Sequence, residues 1–199
     1  MLIVIPTLEQ ARGEQTGKLA LATAGCEARL VVVHDVDKQG FTKTANEGFR
    51  QREADEDVCL LNDDVERFCY GWLRILQTAL YSTAQYGLAG PSGKSQSGTR
   101  TGVRGGVGIQ VVKMLPFWCV LIKSVVVDKI GYLDERFIHY SSDTWYCKDA
   151  NRAGWKCAWV KSVFLGHASG ASGYHAEWRE HDTAVFKVRE REIEHRYRK

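Results

Sequence analysis

The sequence predicts an α/β domain with parallel central strands, and three observations carry that prediction. Short β-branched runs at Leu2 to Ile5, Leu30 to Val33 and Val58 to Leu61 each stop at polar residues, as buried strands do. The segments between them have the length and pattern of crossover helices: one carries Leu19, Ala20, Leu21 and Ala24 ahead of Gly25, and the other runs from Thr42 to Arg52. At 199 residues, 44% hydrophobic and 26% charged with 3 Pro, the chain suits one domain with a real core, and collagen-like, mucin-like and disordered classes are excluded. Ligands of such folds gather at the carboxyl ends of the strands, which directs attention to Thr7 and Glu9, to Asp35, and to Asp63 and Asp64.

Along the chain, Met1 to Ile5 lacks a basic flank and stops at Pro6, so it reads as a buried first strand and not as a signal peptide. Trp72, Leu73, Leu76 and Leu80 fall at helical spacing and predict an amphipathic helix on the sheet. Gly90 to Gly108, rich in Gly and Ser, predicts a mobile loop over a site. Phe117 to Ile122 predicts another core strand, Val125 to Ile130 a short helix, and Trp155 to Val160 a late strand after a turn at Gly154. From Glu177 onward seven basic and six acidic residues alternate, predicting a solvated terminal helix over Trp178 to Arg198. Residues 1–173 are thus expected to form a single domain, with 174–199 a charged C-terminal helix packed on it or extending from it.

The longest apolar run, Phe117 to Ile122, is far short of the roughly 20 residues a bilayer-crossing helix needs, and a cytoplasmic location is expected. The six cysteines form no Cys-x-x-Cys pair and are expected to be buried free thiols. The net charge is only +3, but 61 residues between Glu66 and Asp128 contain no Asp or Glu while carrying Arg67, Arg74, Lys94, Arg100, Arg104, Lys113 and Lys123. That stretch reads either as a surface for an anionic partner or as a solvated basic face.

Asn62-Asp63-Asp64 places two carboxylates and an amide at the end of an apolar strand, with no basic residue before Arg67. Hard oxygen ligands in this setting suit Mg²⁺ or Mn²⁺ bridging phosphates, although the same tripeptide also makes an ordinary turn or helix cap.

Motifs in matching order over roughly residues 2 to 172 resemble family 2 glycosyltransferases. Leu2-Ile-Val-Ile-Pro6-Thr7 is similar to their opening strand, Gly40-Phe-Thr-Lys-Thr-Ala-Asn46-Glu-Gly48 to their next helix, and Leu60-Leu-Asn-Asp-Asp-Val65 to their Asp-x-Asp metal motif. Trp118 to Lys123, Ile130-Gly-Tyr-Leu-Asp134-Glu135-Arg-Phe137, Tyr140-Ser-Ser-Asp143, Ala153-Gly-Trp-Lys156 and His167-Ala-Ser-Gly-Ala-Ser172 continue the match.

The resemblance implies a single-domain GT-A fold, Rossmann-like, with a mixed, mostly parallel sheet flanked by helices. It also implies an inverting hexosyltransferase-type transfer from a nucleotide-diphosphate sugar, UDP-sugar favoured, supported by Mn²⁺ or Mg²⁺. By position Asp64 would ligate the metal, with His167 completing the metal or pyrophosphate site. Asn62 and Asp63 would hold the ribose or metal shell, and Pro6, Thr7, Glu9, Asp35 and Asn46 belong to the donor-binding motifs, Asp35 facing a uracil-like imide. Asp143 is the implied general base. Trp118 is a candidate to stack on a sugar ring, as is Trp145, and Arg100 and Arg104 are candidates to meet phosphate or an anionic acceptor, nucleic acid among the possibilities. For Asp134 and Glu135 a structural role in ordering their loop is favoured over a catalytic one.

The chain departs from the family pattern in three places. Ser142 and Trp145 stand where acids are usual around the base, and after Asp35 the chain passes almost directly to Gly40, omitting a turn and strand of the donor-side wall. Two other readings stay open: a nucleotidyltransferase, for which Pro6-Thr7-Leu8-Glu9 offers no Gly-rich phosphate loop, and a non-catalytic sugar or nucleic-acid binding module.

Overall fold

The computed structural model describes residues 1–94, 100–101, 106–168 and 175–197. Strand β1 (Leu2–Thr7) is buried along its whole length and pairs in parallel with β2 (Arg29–His34) on one side and β3 (Val58–Leu61) on the other. Helices α1 (Gln10–Thr23) and α2 (Phe41–Phe49) make the two crossovers. After β4 (Val65–Arg67) and α3 (Trp72–Tyr81) come β5 (Tyr86–Lys94), β6 (Arg100–Thr101), β7 (Ile109–Val112) and β8 (Cys119–Ile122). Helices α4 (Ser124–Ile130) and α5 (Ser142–Arg152), strand β9 (Lys156–His167) and helix α6 (Ala176–Tyr197) complete the chain. The main sheet order is β2-β1-β3-β8-β5-β9-β4, with five strands running one way and β8 and β4 the other.

Alternation along the central strands divides the core into two layers. Ile3, Ile5, Cys59, Leu61, Cys119 and Leu121 face Ala20 of α1, Ala24 just after it, and Trp72, Leu73, Leu76 and Leu80 of α3. Leu2, Val4, Val58, Leu60, Val120 and Ile122 face Ala45 and Phe49 of α2, Val126 and Val127 of α4, and Tyr146, Cys147 and Ala150 of α5. All six cysteines are free thiols, four of them buried and Cys26 and Cys69 partly so. Among the described residues no helix is long and apolar enough to cross a membrane.

The structure corrects the expectation of a loop from Gly90 to Gly108. Residues 90–94 belong to β5, which runs parallel to β9, and Arg100–Thr101 pair back on β5; residues 95–99 and 102–105 lie outside the described residues. The glycines here serve close packing: a Cβ on Gly93 would stand 2.5 Å from the Trp118 indole, and one on Gly90 3.0 Å from Leu115. Strand β9 also runs seven residues past its expected end at Val160, which is how His167 reaches the Asp-Asp turn.

Helix α6 is charged and largely exposed, and it also has a packed face. Phe186 lies against Trp145 at 5.2 Å between ring centroids, and the Arg189 guanidinium sits 4.7 Å over the same indole while bonding Asp134 and, at 2.9 Å, Asp149. Burial alone would raise the Asp134 carboxyl, but hydrogen bonds from Arg136 and Arg189 outweigh it and hold the group below the ordinary carboxylate range. A carboxyl depressed in the folded state stabilises at neutral pH and loses that contribution as pH falls through its native pKa. Asp134→Asn should therefore destabilise by about 1–2 kcal/mol at pH 7, a loss of roughly 2–8 °C in Tm. The gap between variant and wild type should close in acid; a gap of constant size in melting curves across pH would contradict the assignment.

Candidate active site

A cavity of about 250 Å³ opens over the carboxyl ends of β1, β2 and β3 and the Pro116–Trp118 segment ahead of β8. Residues 139–143 and Trp178 of α6 form its far wall. The parallel strands place Pro6 and Thr7, Asp35, and Asn62 and Asp63 side by side along this edge, because the first two end β1 and the others follow directly on β2 and β3; β2, expected to be buried, is an edge strand and only partly so.

The Asp-Asp turn is fixed from both sides. The Asn62 N–H donates to the Trp118 carbonyl at 2.8 Å, the Thr16 hydroxyl donates to the Asp63 carbonyl at 2.7 Å, and the Ala168 N–H donates to the Asp64 carbonyl at 2.9 Å. Asp63 Oδ2 accepts the Thr7 hydroxyl at 2.5 Å and two N–H groups of Arg12, at 3.0 and 2.7 Å. Thr7 in turn accepts the Glu9 N–H at 3.0 Å. Asp63 is thus oriented and its charge partly neutralised by a cation that the sequence reading passed over.

Asp64 and His167 differ from every other polar pair nearby. Asp64 Oδ1 and His167 Nε2 lie 2.8 Å apart, an ion-pair distance, and among the described residues neither buried atom has a hydrogen-bond partner. His167 Nδ1 is likewise buried and unbonded. Buried polar atoms without hydrogen-bond partners are costly, and a carboxylate and an imidazole left this close together are groups that a divalent cation would satisfy. Among the described residues no three His, Cys, Asp or Glu side chains form a metal site by themselves, so further ligands would come from substrate phosphate and water, the usual coordination of Mg²⁺ at phosphate sites. The residues fit such a group. Trp118, which lines the cavity, stacks on the His167 ring at 4.9 Å and 9° and so joins the pair to the cavity wall.

Asp35 is buried and lines the cavity, with its two oxygens accepting the Gln39 N–H at 2.8 Å and the Gly40 N–H at 2.9 Å. This Asp-held turn is the physical form of the short connection to Gly40. Asp143 lines the cavity from the first turn of α5, entered through Ser141 at φ 67°. Burial pushes its carboxyl above the ordinary range, and hydrogen bonds from Thr144 and the Phe117 backbone bring it only part of the way back. A carboxylate raised in this way is a stronger base.

Other expected site residues lie elsewhere. Asn46 is buried away from the cavity, donating to the Leu133 carbonyl at 2.8 Å and to Glu135 at 2.9 Å and accepting the Leu133 N–H at 3.0 Å. Glu135 pairs with Arg50, and Asn46 and Arg50 hold it below the ordinary carboxylate range. Asp134 is bound to Arg136 and Arg189 as described above. Glu9 is exposed and paired with Arg12 at 3.3 Å, and Trp145 is buried against α6. Arg104 lies outside the described residues, and for Arg100 only the backbone of β6 is described.

Arg12, Phe41 and Trp178 line the cavity without having been expected there. Arg12 had a legible signal, a cation one turn into the helix that follows β1. Trp178 had none, since its helix shows no apolar stripe.

No protein-family model and no curated protein matches the sequence. Solved structures do resemble the fold. TarS of S. aureus is 13% identical with a TM-score of 0.62, over 85% of this chain and 36% of that one. The mannosyltransferase PcManGT from Pyrobaculum calidifontis, in complex with GDP-Man and Mn²⁺, is 12% identical with a TM-score of 0.62, over 90% of this chain and 59% of that one. GalNAc-T7, with UDP, GalNAc and Mn²⁺, is 10% identical with a TM-score of 0.60, over 84% of this chain and 43% of that one. The chain thus spans less than two thirds of the length of each of these structures, and the likeness establishes the GT-A glycosyltransferase fold.

Proposed function

We propose that this GT-A chain is an inverting glycosyltransferase of the family 2 type, moving a sugar from a nucleoside-diphosphate donor, UDP-sugar favoured, to an acceptor hydroxyl. The observation that carries the reading is the buried Asp64–His167 contact, without hydrogen bonds, which Trp118 joins to a cavity lined by Asp63 and Asp143. Two neighbours of the same fold hold a nucleotide or nucleotide sugar together with Mn²⁺, which supports it. Asp64 and His167 would hold a divalent cation, which would supply positive charge against the leaving diphosphate.

The chain's own residues do the rest. Thr7 and Arg12 fix the Asp63 carboxylate beside the cavity that it lines, where it would meet the donor's ribose. Asp143 accepts the proton of the acceptor hydroxyl as that oxygen bonds to the anomeric carbon and the bond from carbon to the diphosphate oxygen breaks. Asn46, Asp134 and Glu135 serve by ordering the loop ahead of α5. We take residues 1–173 and the 174–199 helix as one working unit, with an anionic acceptor suggested by the acid-free stretch.

Incubation with UDP- and GDP-sugars and Mn²⁺ should release nucleoside diphosphate, faster when a suitable acceptor is added. Pyrophosphate release from a nucleoside triphosphate would favour a nucleotidyltransferase instead. Nucleotide binding with no release from any donor would favour a binding module.

A further inference from the structure

The end of the cavity at β2 is walled by aromatic rings. Phe41 follows the Asp35-held turn, its ring 6.1 Å from His139 at 71°, and Trp178 lies 5.7 Å from His139 at 34°. All three line the cavity. Trp178 comes from α6, and one turn further along that helix Asp182, with no exposed surface, accepts three consecutive backbone N–H groups: Ile138 at 2.8 Å, His139 at 2.9 Å and Tyr140 at 2.6 Å. Residues four apart share a helix face, so the clip that holds the 138–140 segment also sets Trp178 beside it. Burial and the neighbouring His175 keep the His139 ring toward its neutral form, which leaves this wall uncharged.

Sheet order tells which part of a donor would lie here. The chain leaves β3 at Asn62 and crosses toward β4 and β9, carrying Asp64 to His167, so the proposed diphosphate end sits on the far side of β3 from β1. A nucleoside running the other way passes over β3 and β1 to β2, two strand spacings or roughly 10 Å, and its base ends at Phe41, His139 and Trp178. Resting on the donor reading above, we propose that Trp178 of the C-terminal helix, with His139 and Phe41, stacks on the donor's nucleobase, so that α6 forms the wall of the nucleotide site which the short Asp35–Gly40 connection does not supply.

The test is fluorescence titration of UDP and of GDP, with Mn²⁺, into wild type, Trp178→Ala and Trp178→Phe, with melting curves to confirm folding. Trp178→Ala should weaken both nucleotides roughly ten- to a hundredfold, since a stacked ring recognises the face common to all bases. Trp178→Phe should stay within about threefold of wild type in affinity and lose part of the quench, which is the signature of direct stacking. Trp178→Ala binding as wild type does, or Trp178→Phe quenching as fully as wild type, overturns the proposal while leaving the donor reading intact. If Trp178→Ala does not fold, the Trp178→Phe quench decides. Failure of wild type to bind either nucleotide overturns the donor reading, and this proposal with it.

Discussion

Asp143→Asn is expected to lower turnover roughly 10²- to 10⁴-fold while nucleotide affinity stays near wild type. The substitution keeps shape and removes basicity at a carboxylate that lines the cavity, and it leaves Asp35, Asp63 and Asp64 untouched. Asp134 and Glu135 are no substitutes, since each is committed to arginines away from the cavity. Because burial raises the Asp143 carboxyl, the acid limb of kcat/KM in wild type should lie above the ordinary Asp value of 3.8 and disappear in the variant. The stability sign runs opposite to that of Asp134. A carboxyl whose pKa is raised in the folded state destabilises when ionised, so Asp143→Asn should melt at or above wild type at neutral pH, an advantage that fades as pH falls through the raised pKa. Full turnover in the variant, with chemistry rate-limiting, would remove Asp143 from the base role.

Asp64→Asn is expected to lower kcat roughly 10²- to 10³-fold, the usual effect of deleting one electrostatic contact to developing charge, and to weaken nucleotide binding as well. The loss in affinity separates it from Asp143→Asn. Without cation the variant should melt no lower than wild type, because Asp64 Oδ1 has no hydrogen bond to lose. With Mn²⁺ and UDP together, wild type should gain Tm by mass action and the variant should not. Equal gains would show that Asp64 does not hold the cation.

The strand-end part of this site was legible from sequence because three β-branched runs give way to Thr7, Asp35 and Asn62-Asp63-Asp64, and parallel pairing makes such ends neighbours. The pairing of His167 with Asp64 was legible only through family resemblance, since it depends on β9 running on to meet β4. Gly90 to Lys94 misled because glycine reads alike whether it loosens a chain or admits a neighbouring indole. Asn46 sits on the inner face of α2, and sequence cannot tell a buried amide that bonds backbone from one that bonds ligand. The role of α6 was hidden for a different reason. Its attachment rests on Asp182, Arg189 and two aromatic rings within a mostly charged helix, and long-range polar partners leave no periodic pattern.

On the proposed function, Asp64 and His167 hold a divalent cation jointly with a nucleoside diphosphate at the strand ends. Electron paramagnetic resonance of free Mn²⁺ tests it most directly, titrating wild type, Asp64→Asn and His167→Ala with and without UDP or GDP. Wild type should remove free Mn²⁺ from solution beyond what the nucleotide alone binds, nucleotide and cation should strengthen each other's binding, and both variants should lose this coupling. Nucleotide binding to wild type that is unchanged in excess chelator, or coupling undiminished in both variants, would contradict it.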